Sequence, residues 1–402
     1  MTPRRRLLAL AAAALLGACS EQLETPVECP ALCPGGQPQL RDTSIVAQFQ
    51  RDSSYVGYVE RGEGVAMLVS NGMPAADARA VLRLNARPAT VTVRDTARTY
   101  VVDSVRIQVG VTARDTAVRG IQLRAFRIPR TTTTLATFAE VTAADQPANL
   151  VATLPLADTL RRGTTSVTLS GPALAAMGIA PADSGIVALA FALAAPAPTG
   201  VSLAAPPIGG TLAPLVTWFV TANGVTDAAL RSQLIPVSGA LGWWVAAPGA
   251  AAPPGTLGVG GLPAQRAFIR FRLPPVIRDS ATIVRATLEL YPVRPITGLR
   301  NEPNTMDTRP IISDLGPKSP GVQGAVVATV LPTAGAATDT LRIEVFNFAR
   351  FWLGTAGVPP VLALQMQGEG STWTWPAFGS TVSGSPPRLR ITYLRRFPFE
   401  QP

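Results

Sequence analysis

The chain has 402 residues, room for two ordinary domains that each bury a core. It carries no histidine, and Lys318 is its one lysine, so a formal net charge of +10 rests almost wholly on arginine. Without imidazole there is no histidine triad, no histidine-liganded zinc and no imidazole acid–base chemistry.

No carboxylate pair, phosphate loop or dinucleotide fingerprint stands in a committed motif, so no enzyme, cofactor, metal or nucleic-acid reading is supported. A net charge of +10 would suit an acidic polymer, but the arginines are scattered, with no run longer than three, as a GC-rich coding bias yields. The 35 glycines and 38 prolines, with frequent Thr and Val, cut the apolar content into short pieces, as in a many-stranded β-protein.

The chain opens with "MTPRRRLLALAAAALLGACS": a basic start, a short apolar stretch, then small residues before Cys19. This resembles a bacterial lipoprotein signal, with Leu16-Gly17-Ala18-Cys19 as the lipobox. The resemblance implies cleavage after residue 18, a lipid on Cys19 and an outer-membrane location in the cell envelope. After the leader, no apolar run approaches the ~18 residues needed to span a bilayer. Residues 19–40 read as a tether that contains "CPALCPGGQPQ" at 29–39, in which Cys29 and Cys33 are expected to close a small disulfide loop.

Short alternating strands then follow, and they recur. "ARAVLRL" at 78–84 is echoed by "QRAFIRFRL" at 265–273, and "VRIQV" at 105–109 by "ATLEL" at 286–290. "SVTL" at 166–169 pairs with "TLRI" at 340–343, and "IVALAF" at 186–191 with "VLALQM" at 361–366. "PLVTWFV" at 214–220 pairs with "RLRITYL" at 388–394. The ordered series predicts two tandem β-sandwich copies, residues 41–221 and 236–396, joined by a polar linker at 222–235 and followed by a tail at 397–402.

The second copy resembles the DNRLRE-type module. Arg270-Phe271-Arg272-Leu273 stands where that family has "L-x-F-D-L", with Arg272 in place of the usual Asp. Ala286, Leu288 and Leu290 match "A-T-L-x-L", Trp352 matches the helix Trp, and Pro387, Leu389, Ile391 and Tyr393 match the closing motif. The match covers residues 237–394, while the first copy is assigned by duplication. The resemblance implies an all-β fold of two jelly-roll sandwiches in an exported bacterial surface protein. Some relatives bind acidic polysaccharides such as alginate and others act as spacers.

Two groups of residues are candidates for a ligand site. Alternation places Arg266, Arg270 and Arg272 on the face of their strand opposite Ala267, Ile269 and Phe271, with Arg388 and Arg390 outward on the closing strand. Guanidinium forks suit carboxylates, so neighbouring strands of this kind would form a plate for uronic acids. Trp373 and Trp375 would share a strand face, while the adjacent Trp243 and Trp244 would point opposite ways, leaving Trp244 free for a sugar platform. The alternative is that the aromatics fill the core and the seam between domains, and that the arginines are paired with acids such as Glu289 and Glu344. Trp352, in "FNFARFW", is expected to anchor the core from a short helix.

Overall fold

The computed structural model describes residues 40–48, 51–58, 66–73, 77–177, 186–206, 210–247, 254–262, 264–300, 302, 305–336 and 339–395. The expected signal peptide, Cys19, the Cys29/Cys33 tether and the tail lie outside the described residues.

Among the described residues the first elements are β1 (Leu40–Val46) and β2 (Ser53–Val56). Next come β3 (Ala66–Asn71), β4 (Ala78–Leu84), a hairpin of β5 (Val91–Val93) and β6 (Thr96–Arg98), β7 (Tyr100–Arg114) and β8 (Gln122–Arg127). Helix α1 (Phe138–Thr142) precedes β9 (Leu150–Pro155) and β10 (Gly163–Ser170), and α2 (Gly171–Ala176) precedes β11 (Ala188–Ala194), β12 (Thr199–Ala204) and β13 (Leu215–Ala222). Helix α3 (Ala228–Arg231) turns the chain into β14 (Ser232–Ala246).

The later part holds β15 (Thr256–Gly258), β16 (Gly260–Gly261), β17 (Ala264–Arg270), α4 (Pro275–Ser280), β18 (Ala281–Leu290) and β19 (Thr305–Pro310). It ends with β20 (Val327–Val330), β21 (Leu341–Glu344), α5 (Phe346–Gly354), β22 (Val361–Met366), β23 (Ala377–Gly379) and β24 (Arg388–Arg395).

These strands build two antiparallel sandwiches with the same winding. In the first, β3-β12-β7-β10 faces β4-β11-β8-β9. Numbered by sequence, those sheets read 1-8-3-6 and 2-7-4-5, the order of an eight-stranded jelly roll. In the second, β1-β24-β18-β21 faces β17-β22-β19-β20, and the same numbering gives 1-8-3-6 and 2-7-4-5 again. The sequence echoes fall on matching strands: β4 with β17, β7 with β18, β10 with β21 and β11 with β22. The fifth echo joins β24 to β13, which continues along the edge of β7 after β12.

The strand pairing departs from the expected boundaries. β1 runs its whole length against β24, from Leu40 opposite Leu394 to Val46 opposite Arg388. β2 pairs with β17, Tyr55 opposite Arg266. Residues 40–58 therefore belong to the second roll, and the first roll is inserted between that roll's first and second strands. The expected linker at 222–235 is also not a linker. It is the turn between β13 and β14, which pair from Leu215–Ser238 to Thr221–Ser232. We call 66–247 the inner roll, and 40–58 with 254–395 the outer roll.

Local sequence explains the elements. β13 reads LVTWFVTA and turns Val216, Trp218, Val220 and Ala222 into the inner core, while β24 reads RLRITYLR and sends Leu389, Ile391 and Tyr393 into the outer core. Trp352 on α5 packs in that outer core with Phe348, as expected. β14 bends from one sheet of the inner roll to the other at Gly239, where its register with β4 shifts. A Cβ at Gly239 would lie 2.8 Å from the Pro206 ring, so only glycine permits the bend to pass there. β12 is buried on both faces because the outer roll covers its second face.

Candidate functional site

The arginines of "QRAFIRFRL" do not form an open row. The face of β17 expected to meet water instead carries Phe268, buried in a small cluster with Ile311, Val361 and Ala363, under Tyr55 and Tyr58. Tyr55 meets Phe268 edge to face, with ring centroids 5.8 Å apart. The cover comes from residues 51–58, which add β2 to the edge of β17.

Under that cover, Arg270 is spent. It grips Asp314 with two parallel hydrogen bonds, Nε to Oδ2 at 2.6 Å and Nη2 to Oδ1 at 2.7 Å. Its Nη1 donates to the Arg51 carbonyl and to Ser53 Oγ. The hydrogen bonds from Arg270 hold the Asp314 carboxyl below the usual carboxylate range, and Asp314 in turn raises the guanidinium. Arg266 forks onto Glu369 at 2.6 and 2.9 Å and stacks 4.2 Å from the Tyr58 ring centroid. Arg272 lies beyond the strand end and is exposed.

The tryptophans are also absorbed. Trp373 is fully buried between the rolls with Leu68, Ala78, Leu262 and Leu299. Trp375 is buried, donates Nε1–H to Gln265 Oε1 at 2.9 Å and lies under the Arg294 guanidinium at 4.3 Å. Trp244 is half-buried at the seam, with its Nε1–H donated to the Gly370 carbonyl at 2.8 Å. None of the three forms an open sugar platform. They fill the core and the domain seam.

Arg388 and Arg390 are exposed on β24, but β24 and β17 belong to opposite sheets of the sandwich, so the two arginine sets never meet. Their neighbours include Glu289, one of the two acids expected to pair with the arginines, together with residues that were not singled out in the sequence. The register sets Arg390 beside Ser44 and Thr287, and Arg388 beside Glu289, which itself lies opposite Arg342. A β-bulge between Ile283 and Arg285 brings Arg285 outward at the end of the same face.

The result is a charged plate of four arginines (Arg285, Arg342, Arg388, Arg390) against Asp42, Glu289 and Glu344. It encloses a depression of about 290 Å³ lined by Asp42, Arg285, Thr287, Glu289, Arg342, Arg390 and Thr392. Arg285 meets Glu344 at 2.9 Å, while Arg342–Glu289 and Arg390–Asp42 stand at 3.6 Å, too long for hydrogen bonds. These loose pairs leave guanidinium N–H groups available. The Arg285–Thr287–Glu289 alternation was readable in "RATLE"; its meeting with Asp42, 346 or more residues from β24 in sequence terms remote, was not.

A larger cleft, about 610 Å³, lies in the inner roll between Arg127, Arg130, Glu140 and Asn149. Its one carboxylate is engaged locally: Glu140 accepts from the Thr137 N–H and hydroxyl, and these bonds lower its pKa. Among the described residues, no group of three or more Cys, Asp or Glu side chains is placed to hold a metal ion.

No family model and no curated protein matches this chain. Among solved structures, the N-terminal CBM22-1-CBM22-2 tandem domain from Paenibacillus barcinonensis Xyn10C is similar over 88% of this chain and 99% of that one, at 10% identity and a TM-score of 0.15. A score that low carries no argument; the assignment of the sandwich fold rests on the strand order itself.

Proposed function

We propose that this is a non-catalytic, lipid-anchored protein of the cell envelope whose outer roll offers its four-stranded sheet to an acidic polysaccharide. The observation that carries the reading is the plate: four arginines on three neighbouring strands face three carboxylates, and two of the ion pairs are loose. A polymer of uronic acids would present carboxylates along such a sheet at successive positions, each a partner for a guanidinium fork. The DNRLRE-type resemblance points to the same ligand class, and the lipobox-like leader supports the anchor. Loss of membrane attachment and of lipid labelling in Cys19→Ser tests the anchor separately.

Affinity electrophoresis of a soluble form starting at residue 36, in gels containing alginate or polygalacturonate, tests the ligand. Retardation at low salt should fade at physiological salt, since exposed charges are screened over about 8 Å there. The double change Arg388→Ala, Arg390→Ala should remove most of it. Migration unchanged by any acidic glycan at low salt rejects the ligand reading. A second reading, a structural or assembly lipoprotein with no glycan ligand, is favoured by the fate of Arg266, Arg270, Trp373 and Trp375, all engaged within the fold.

A further inference from the structure

Between the rolls lies a cavity of about 300 Å³. The inner roll supplies Ala66, Thr112, Ala113 and Ser202; the outer roll supplies Glu302, Thr305, Gln367, Gly368, Ser371 and Thr372. Interdomain cavities of this size are a common place for small ligands.

Its walls are mostly apolar, and one carboxyl group, Glu302, is buried among them. Glu302 is 8% exposed, and no Arg or Lys among the described residues pairs with it. Its Oε2 accepts the backbone N–H of Trp373 at 2.9 Å and the hydroxyl of Thr374 at 3.4 Å. Ser202 is 2% exposed, and among the described residues neither its Oγ nor that of Ser371 has a hydrogen-bond partner; both oxygens are buried behind the cavity wall.

We propose that this seam cavity binds a small molecule through a primary ammonium group, with Glu302 as its counter-ion. Among the described residues the lining holds one carboxyl group and no cation, a composition that favours a cation over an anion. A neutral alcohol would leave the buried carboxylate without a counter-charge. The walls of Ala66, Ala113 and Gly368 leave room for a short aliphatic body. Burial pushes Glu302 up to about 7, against the pull of its hydrogen-bond donors. A bound cation would favour the ionised form, so binding should release a proton. The site is independent of the charged plate, and neither proposal depends on the other.

Isothermal titration with propylammonium chloride tests it, with 1-propanol as the uncharged arm. Propylammonium should bind more tightly above neutral pH than below it. Its heat should depend on the buffer's ionisation enthalpy, the signature of proton release. Glu302→Gln should weaken it about 30-fold, the loss of one charge-assisted hydrogen bond. Ala113→Leu, which fills the cavity and leaves Glu302 in place, should weaken it comparably and serves if the glutamine variant fails to fold. Absence of propylammonium binding at either pH, equal binding of propanol, or full binding in Ala113→Leu would overturn the proposal.

Discussion

Arg270 and Asp314 are joined by two hydrogen bonds of 2.6 and 2.7 Å beneath the segment that carries Ser53 and Tyr55. Arg270 has a side-chain exposure of only 10%. The pair therefore ties a strand of the outer roll to the loop after β19 and to the N-terminal segment at once. Arg270→Ala should cost stability, by about 3 kcal/mol, because it leaves Asp314 and the Arg51 carbonyl without their donor. Arg272→Ala, two residues on and exposed, should stay within about 0.5 kcal/mol of wild type. Urea unfolding of both variants checks the contrast, and equal midpoints would refute it.

The interleaved topology makes its own prediction. A fragment of residues 236–402 lacks β1, the first strand of its jelly roll, and begins inside β14, which belongs to the inner roll. It should not melt cooperatively. β1 buries only Ile45 of its seven side chains, so it is held mainly by its ladder to β24. A peptide of residues 40–58 added in trans should therefore restore a cooperative transition to residues 254–395. Residues 66–247, with both sheets complete, should fold alone. Circular dichroism melts decide each case, and a cooperative melt of 236–402 without the peptide would count against the split roll.

The parts of this structure legible in sequence are those set by local periodicity. The alternation in 265–273 and 388–394 marks strands because a strand's side chains change face at every residue. Four of the five ordered echoes found equivalent strands, because both rolls use the same winding and fill equivalent inward positions. What a strand's second face meets is not local. Nothing in "QRAFIRFRL" reveals that Tyr55 and Tyr58, about two hundred residues earlier, cover Phe268, or that Tyr58 stacks on Arg266. Nor does "LRDTSIV" at 40–46 show that its partner is the last strand of the chain rather than the next one. Trp373 and Trp375 are ambiguous for the same reason: a paired aromatic motif serves a platform or a seam, and the neighbouring roll decides.

At that seam, Gly200 on β12 lies against the Trp373 indole, and a Cβ there would stand 3.0 Å from the ring. Gly200→Val would push a branched side chain into a fully buried tryptophan. The variant should lose about 2 kcal/mol through overpacking. Because the strain falls between the rolls, their transitions should separate, and tryptophan fluorescence should report the seam opening before the far-ultraviolet signal is lost. A single transition unshifted from wild type would show that the seam has slack.

Glu302 gives the last prediction, a pH dependence opposite to that of Asp314. Its pKa in the folded protein is about 7 against an ordinary value of 4.5, chiefly because burial penalises the charged form. The folded state thus binds this proton more tightly than the unfolded chain. Its contribution is complete below the ordinary value and is lost as pH rises from about 4.5 through about 7, a decline on the order of 3 kcal/mol. Asp314, held below its ordinary value by Arg270, acts the other way: its contribution is present at neutral pH and is lost as pH falls through its depressed pKa. Urea midpoints across this range should therefore fall on the neutral side in wild type. In Glu302→Gln that decline should flatten, because the amide cannot ionise, while the acid-side loss set by Asp314 should persist. A neutral-side slope that survives in Glu302→Gln would mean that another group carries it and that the Glu302 carboxyl titrates near its ordinary value.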